Sequence, residues 1–120
     1  MSSEYGLTTE SDGALQQLKV RDCVEHYLLI DAAVPVAVGQ VVQYNTTNDN
    51  FDAYTSGMAA SLYAVIAEAK TIGADTLCRC IVKGSVRKTA LDATAQADAE
   101  IDVALIKCGI VPVGEDVRVA

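Results

Sequence analysis

Apolar residues are densest between residues 62 and 91. Residues 62–69 (LYAVIAEA) are almost wholly apolar and read as a strand. Residues 71–75 (TIGAD) carry a glycine and an aspartate, which tolerate turn geometry. From Leu77 the pattern has period two. Cys78, Cys80 and Val82 fall on one side, and Leu77, Arg79, Ile81 and Lys83 on the other, as in a half-buried strand. Gly84 breaks that run, and residues 85–91 form a third extended piece. Two strands and a turn do not persist alone in water, so another element has to cover their apolar face.

The flanking segments supply candidates. Residues 20–30 (VRDCVEHYLLI) read as a strand with Val24, His26, Leu28 and Ile30 on one face. Residues 31–35 are a turn. Residues 36–44 read as a second strand, with Gly39 marking a bulge or tight bend. Residues 45–52 (NTTNDNFD) are turn chemistry throughout, Phe51 and Tyr54 open the next extended piece, and Ser56-Gly57 turns the chain again. Residues 92–108 have the helical period: Ala97, Ile101, Ala104, Leu105 and Cys108 make one stripe. Asp92 or Thr94 is placed to cap that helix and Gly109 to end it, before a short strand at 110–113. The helix is the expected cover for the hairpin. The expected fold is mainly β with one or two short helices (α+β), as one compact domain over residues 19–120.

Residues 1–18 read differently. Ser, Thr, Glu, Asp and Gly dominate, and Tyr5, Leu7, Leu15 and Leu18 are spaced too widely for a core element. The expectation is a flexible N-terminal arm. Tyr5 and Leu7, apolar in a polar segment, are its candidate partner-binding anchors, with addition to a sheet edge as the natural mode.

Composition narrows the function classes. With 120 residues, 51% of them apolar, the chain has room for one modest core. A net charge of −7 argues against direct nucleic-acid binding. No apolar run approaches the roughly 18 residues of a membrane span, and the polar start lacks a secretory pattern, so neither membrane nor export is expected.

Candidate chemistry is sparse. Cys23, Cys78, Cys80 and Cys108 are expected as free thiols behaving as small apolar side chains. Cys78 and Cys80, two apart on one strand face, are not a zinc knuckle. His26, the single histidine, is expected to be a hydrogen-bonded structural residue. Asp98 and Asp102 lie one helical turn apart and are expected to be solvated. Asp49 and Asp52 lack the spacing of a calcium loop. Arg79, Lys83, Arg87 and Lys88 form a local basic concentration without interleaved aromatics, suited to solvent or to an acidic partner surface. No nucleophile–base pair, phosphate cradle or metal set emerges, so neither an enzyme nor a cofactor is expected.

The order of the pieces resembles the lambda-type head decoration proteins of tailed bacteriophages, over residues 24–111. Residues 35–44 (PVAVGQVVQY) look like that family's Gly-x-Val-Leu strand, and 51–54 (FDAY) like the aromatic piece after it. Residues 60–69 (ASLYAVIAEA) resemble its central strand, 71–75 its turn, 76–91 its strand–break–strand ending in leucine, and 104–111 (ALIKCGIV) its closing helix and Gly-Ile-Val. The chain departs from the family in lacking tryptophan and the usual opening of the arm. The resemblance implies a capsid-stabilising protein of β-clip or β-tulip type. It would sit as homotrimers on the outer surface of the expanded head, with the major capsid protein as partner. Two other readings stay open: another virion module, such as a tail or fibre-base component, and a small metal-binding domain using Cys78, Cys80, Cys108 and His26.

Overall fold

A computed structural model describes residues 15–58 and 60–114. Its longest elements are two 12-residue strands, β1 (Lys19–Ile30) and β5 (Thr76–Arg87). They pair antiparallel from Lys19 opposite Val86 to Ile30 opposite Thr76. Between them in the chain lie β2 (Val41–Asn45), β3 (Asn50–Ala53) and β4 (Tyr63–Ile66). After β5 come a 3-10 turn (Lys88–Ala90), two short helices, α1 (Ala93–Ala97) and α2 (Ile101–Lys107), and β6 (Ile110–Val113). The chain is thus one mainly β domain with few short helices, as its pattern predicts.

The strands are ordered β1-β3-β2-β4-β5-β6, and β1 also pairs with β5. The sheet therefore closes on itself through five strands, with β6 lying parallel to the far half of β5. The closing seam is narrow: Ile30 opposite Phe51 in a parallel bridge, next to an Asp31 N–H···O Phe51 bond of 3.0 Å.

Alternation along the strands fills two cores, one on each face of the sheet. Val41, Val65, Ile81, Val86 and Ile110 join Ile101, Ala104 and Leu105 of α2 in the first. Ile30, Val42, Ala64, Ile66, Cys78 and Cys80 join Val34 and Val36 in the second. Neighbours such as Val41/Val42, Val65/Ile66 and Cys80/Ile81 thus point into different cores. Each large buried side chain contributes on the order of 1.5–3 kcal/mol of transfer free energy. Helix α2 covers one face of the hairpin, as expected. The other face is closed by the end of β1 and the 31–36 segment.

Four expectations are corrected. Residues 15–18 are helical, and Leu15 and Leu18 are buried in the first core, so the packed body begins before residue 19. The second strand starts at Val41, not residue 36, because Gly39 turns the chain at φ +92; a Cβ there would lie 2.1 Å from the Ala90 carbonyl oxygen. Strand β5 runs through Gly84 without a break. At φ +122, Gly84 faces a bulge in β1, and a Cβ on it would lie 2.6 Å from Cys23 Cα. The single helix expected over 92–108 is two helices, and Ala95, not Ala97, is the buried residue of the first.

Candidate interaction surfaces

The cysteines and His26 do not converge. Cys78 and Cys80 are fully buried in the second core, where their thiols face the carbonyls of Thr76 and Cys78. Burial pushes both thiols up, Cys80 to about 12. Cys108 packs against the first core, where its Sγ accepts the Tyr63 N–H at 3.3 Å. His26 is the cross-strand partner of Cys80 but is exposed, which corrects its expected role as a structural hydrogen-bonding residue. Among the described residues no three His, Cys, Asp or Glu side chains are grouped to hold a metal ion. No helix among them is long and apolar enough to cross a membrane.

The acidic side chains mostly do structural work. Asp98 is not simply solvated beside Asp102. Its Oδ2 accepts the Tyr54 hydroxyl at 2.7 Å and the Gly57 N–H at 3.1 Å, and its Oδ1 accepts the Glu100 N–H at 2.9 Å. The Tyr54 hydrogen bond, followed by that of Glu100, holds the Asp98 carboxyl below its ordinary pKa. Asp92 stands just before α1, but its Oδ1 accepts the Val41 N–H at 3.0 Å and no helix N–H. Asp49 and Asp52 bond Tyr44 and Asn45 across the β2–β3 hairpin. Asn50 is 2% exposed, and its Nδ2 donates to Asp75 at 2.9 Å and Asp31 at 3.3 Å, tying three turns together at one end of the barrel.

The basic concentration splits into engaged and free groups. Arg79 pairs with Glu25 at 3.1 Å, which also binds Lys19. Lys88 pairs with Asp102 at 3.2 Å, and Arg87 donates to the Gln17 carbonyl at 2.7 Å. Lys83 is exposed and makes no ion pair with a described residue.

Two apolar surfaces escaped the sequence reading. On the β1–β5 ribbon, exposed Leu29 stands opposite exposed Leu77, beside Tyr27. Both parities of that stretch are apolar, so alternation alone does not say which set faces out. The second surface follows α2. Gly57 approaches Glu100 just before α2, and Tyr63 bonds Cys108 just after it. Met58 and Leu62 are exposed there, as are Val103 and Ile106 of the helix. An open cleft of about 480 Å³ lies between the 57–63 segment and the β2–β3 hairpin, lined by Gln43, Asn45, Asp52, Met58 and their neighbours. Tyr5 and Leu7, the arm anchors, lie outside the described residues.

Comparison of the chain with protein-family models, with curated proteins and with solved structures finds no match.

Proposed function

We propose that this chain is a bacteriophage capsid decoration protein. It binds the outer surface of the expanded head as homotrimers, contacts the major capsid protein and stabilises the shell against the pressure of packaged DNA. The observation that carries this reading is the order of the motifs over residues 24–111. Residues 35–44 hold the Gly39 turn and all of β2 but its last residue, 51–54 hold all of β3 but its first, 60–69 contain β4, 76–91 contain β5 with the turn after it, and 104–111 run from α2 into β6. Each motif thus falls on its own element of one β-rich domain. The β-clip assignment belongs to this proposal.

The physics suits the role. A shell presents the same site many times, so modest contacts at each site add up to firm cementing through multivalency. Exposed apolar residues on a small acidic body supply such contacts.

The test is co-sedimentation of the purified protein with shells of its phage that lack it, unexpanded and expanded. A truncation beginning at Leu15 runs beside it; a deeper cut would remove core residues. Saturable binding to expanded shells only, weakened by the truncation, is the expected result. Absence of binding to both shells would reject the reading.

A further inference from the structure

For most of its length, strand β1 has a neighbour on one edge only. Strand β5 takes that edge from Lys19 to Ile30, and β3 meets the other edge in the single bridge at Ile30. Backbone directions say which groups face the open edge. The Arg79 carbonyl accepts the Ala67 N–H and the Arg79 N–H donates to Glu68, both on the side away from β1. Arg79 and its cross-strand partner Tyr27 are therefore a non-hydrogen-bonded pair, and the Tyr27 N–H and C=O point to the open edge. Alternation sends those of Glu25, opposite Ile81, the same way. No described residue hydrogen-bonds these four groups.

An open edge is a template for another strand, and edges are commonly blunted. Strand β6 is blunted: the Gly84 N–H bonds the Gly109 carbonyl, so Pro112 stands where the backbone faces away from β5, and it offers no N–H there. Strand β1 has no proline, and its irregularities of register all lie before Glu25. From Glu25 onward the pairing is regular. Tyr27, 60% exposed, and Leu29 line that stretch, with exposed Leu77 beside Leu29.

The chain carries a segment of matching length and pattern. Residues 1–14, outside the described residues, join the body at Leu15. Leu15 and Leu18 pin the helical turn 15–18 in the first core, directly before β1. A segment returning from that joint along β1 runs antiparallel to it. At roughly 3.3 Å per residue, residues 8–14 reach as far back as residues 20–26 lead forward. That count brings Leu7 opposite Tyr27 and Tyr5 opposite Leu29. Opposite residues share a face in an antiparallel pair, so Tyr5 and Leu7 would join Tyr27, Leu29 and Leu77 in one apolar cluster. Just past Tyr5, the bridge at Ile30 gives the edge to β3.

We propose that residues 5–9 add to the open edge of β1 of their own chain, as an antiparallel strand. Tethering favours this occupant over a second copy. A segment on a short linker is present at an effective concentration of about millimolar, far above that of another molecule in dilute solution. A second β1 paired about Tyr27 would also set Glu25 against Leu29, a poor cross-strand match. The pairing belongs to the free protein and stands without the capsid reading.

Residue-resolved amide hydrogen exchange of the full chain tests the pairing, beside a truncation beginning at Leu15 and the variant Leu7→Pro. Circular dichroism melts check that all three fold. In the native protein the Glu25 and Tyr27 amides are expected to exchange slowly. In both altered proteins their protection is expected to fall at least about tenfold. The His26 and Leu28 amides, which face β5, should keep theirs within about twofold. Leu7→Pro acts by deleting the N–H that would meet the Tyr27 carbonyl. Fast exchange at Glu25 and Tyr27 in the native protein would overturn the proposal. Protection that survives the truncation would overturn it in favour of residues 115–120, and protection that fades on dilution in favour of a second copy. Loss in the truncation without loss in Leu7→Pro would overturn the pairing of Leu7 with Tyr27.

Discussion

Tyr54 donates its hydroxyl hydrogen to Asp98, 44 residues away, at 2.7 Å. That bond lies at the break between α1 and α2. Asp98 has left the helical conformation (φ −90, ψ 121), and its second oxygen accepts the Glu100 N–H just before α2. Replacing Tyr54 by Phe removes the main group that lowers the Asp98 pKa. A lowered folded-state pKa contributes stability above the unfolded value, near 3.8, and that stability is lost as pH falls through the folded value. The stability gap between native protein and Tyr54→Phe is therefore expected to be full at neutral pH and to close below about pH 4. Urea midpoints taken from pH 7 down to 2 measure it, and a gap that stays constant to pH 2 would contradict the assignment.

Leu105 has no exposed surface, whereas its neighbour Ile106 is 54% exposed. Leu105→Ala should cost about 2–5 kcal/mol, and Ile106→Ala should stay within about 0.5 kcal/mol of native. Leu18→Ala should match Leu105→Ala, because Leu18 lies in the same core. Chemical denaturation decides all three, and a neutral Leu18→Ala would return residues 15–18 to the arm.

Gly39 and Gly73 make a contrasting pair. Gly39→Ala forces a side chain into a left-handed backbone and against the Ala90 carbonyl. It should lose more than about 1 kcal/mol. Gly73 has nothing within 4 Å of a built Cβ. Gly73→Ala should fall between neutral and about 1 kcal/mol more stable, through the reduced freedom of the unfolded chain. Thermal melts of both proteins provide the comparison.

Cys80 is the most protected thiol. With a pKa near 12, about one molecule in ten thousand carries its thiolate at pH 8, and the sulfur is buried as well. Iodoacetamide labelling followed by peptide mass spectrometry should modify the half-buried Cys23 and Cys108 first. Cys78 and Cys80 should react only when denaturant is added. Native-state labelling of Cys80 at the rate of Cys23 would show that the second core is open.

The hairpin, the strand at 110–113 and the stop at Gly109 (φ +91) were legible because each rests on local chemistry. What was not legible depends on distant partners. The end of α1 lies at the Tyr54 bond, the turn at Gly39 needs the Ala90 carbonyl, and the continuity of β5 at Gly84 needs the bulge of β1. Asn50 looks no different in sequence from Asn45 or Asn48; only Asp31 and Asp75 set it apart. Leu15 and Leu18 did carry a local signal, the i, i+3 spacing of one helical turn. Of the candidate surface, the clustering of cations was visible near Lys83. Which of them are free was not, because Glu25, Asp102 and Gln17 come from elsewhere in the chain.

The double-sided apolar character of the central strands carries a hazard of its own. Where one face is polar, sliding a strand by one residue exposes its apolar set and is strongly penalised. In β4 a one-residue slide would still bury Ala64, Val65 and Ile66, so hydrophobicity does little to forbid it. Polar bolts at both ends hold the frame. The Tyr63 hydroxyl donates to the Ser56 carbonyl at 2.8 Å and accepts the Ala60 N–H at 3.0 Å. Beyond the other end, the Ala67 N–H bonds the Arg79 carbonyl at 2.9 Å, and the Glu68 carboxylate accepts the Arg79 N–H at 2.8 Å. Oily contacts give this barrel its mass, and a handful of polar atoms at the strand ends tell it where to stop sliding.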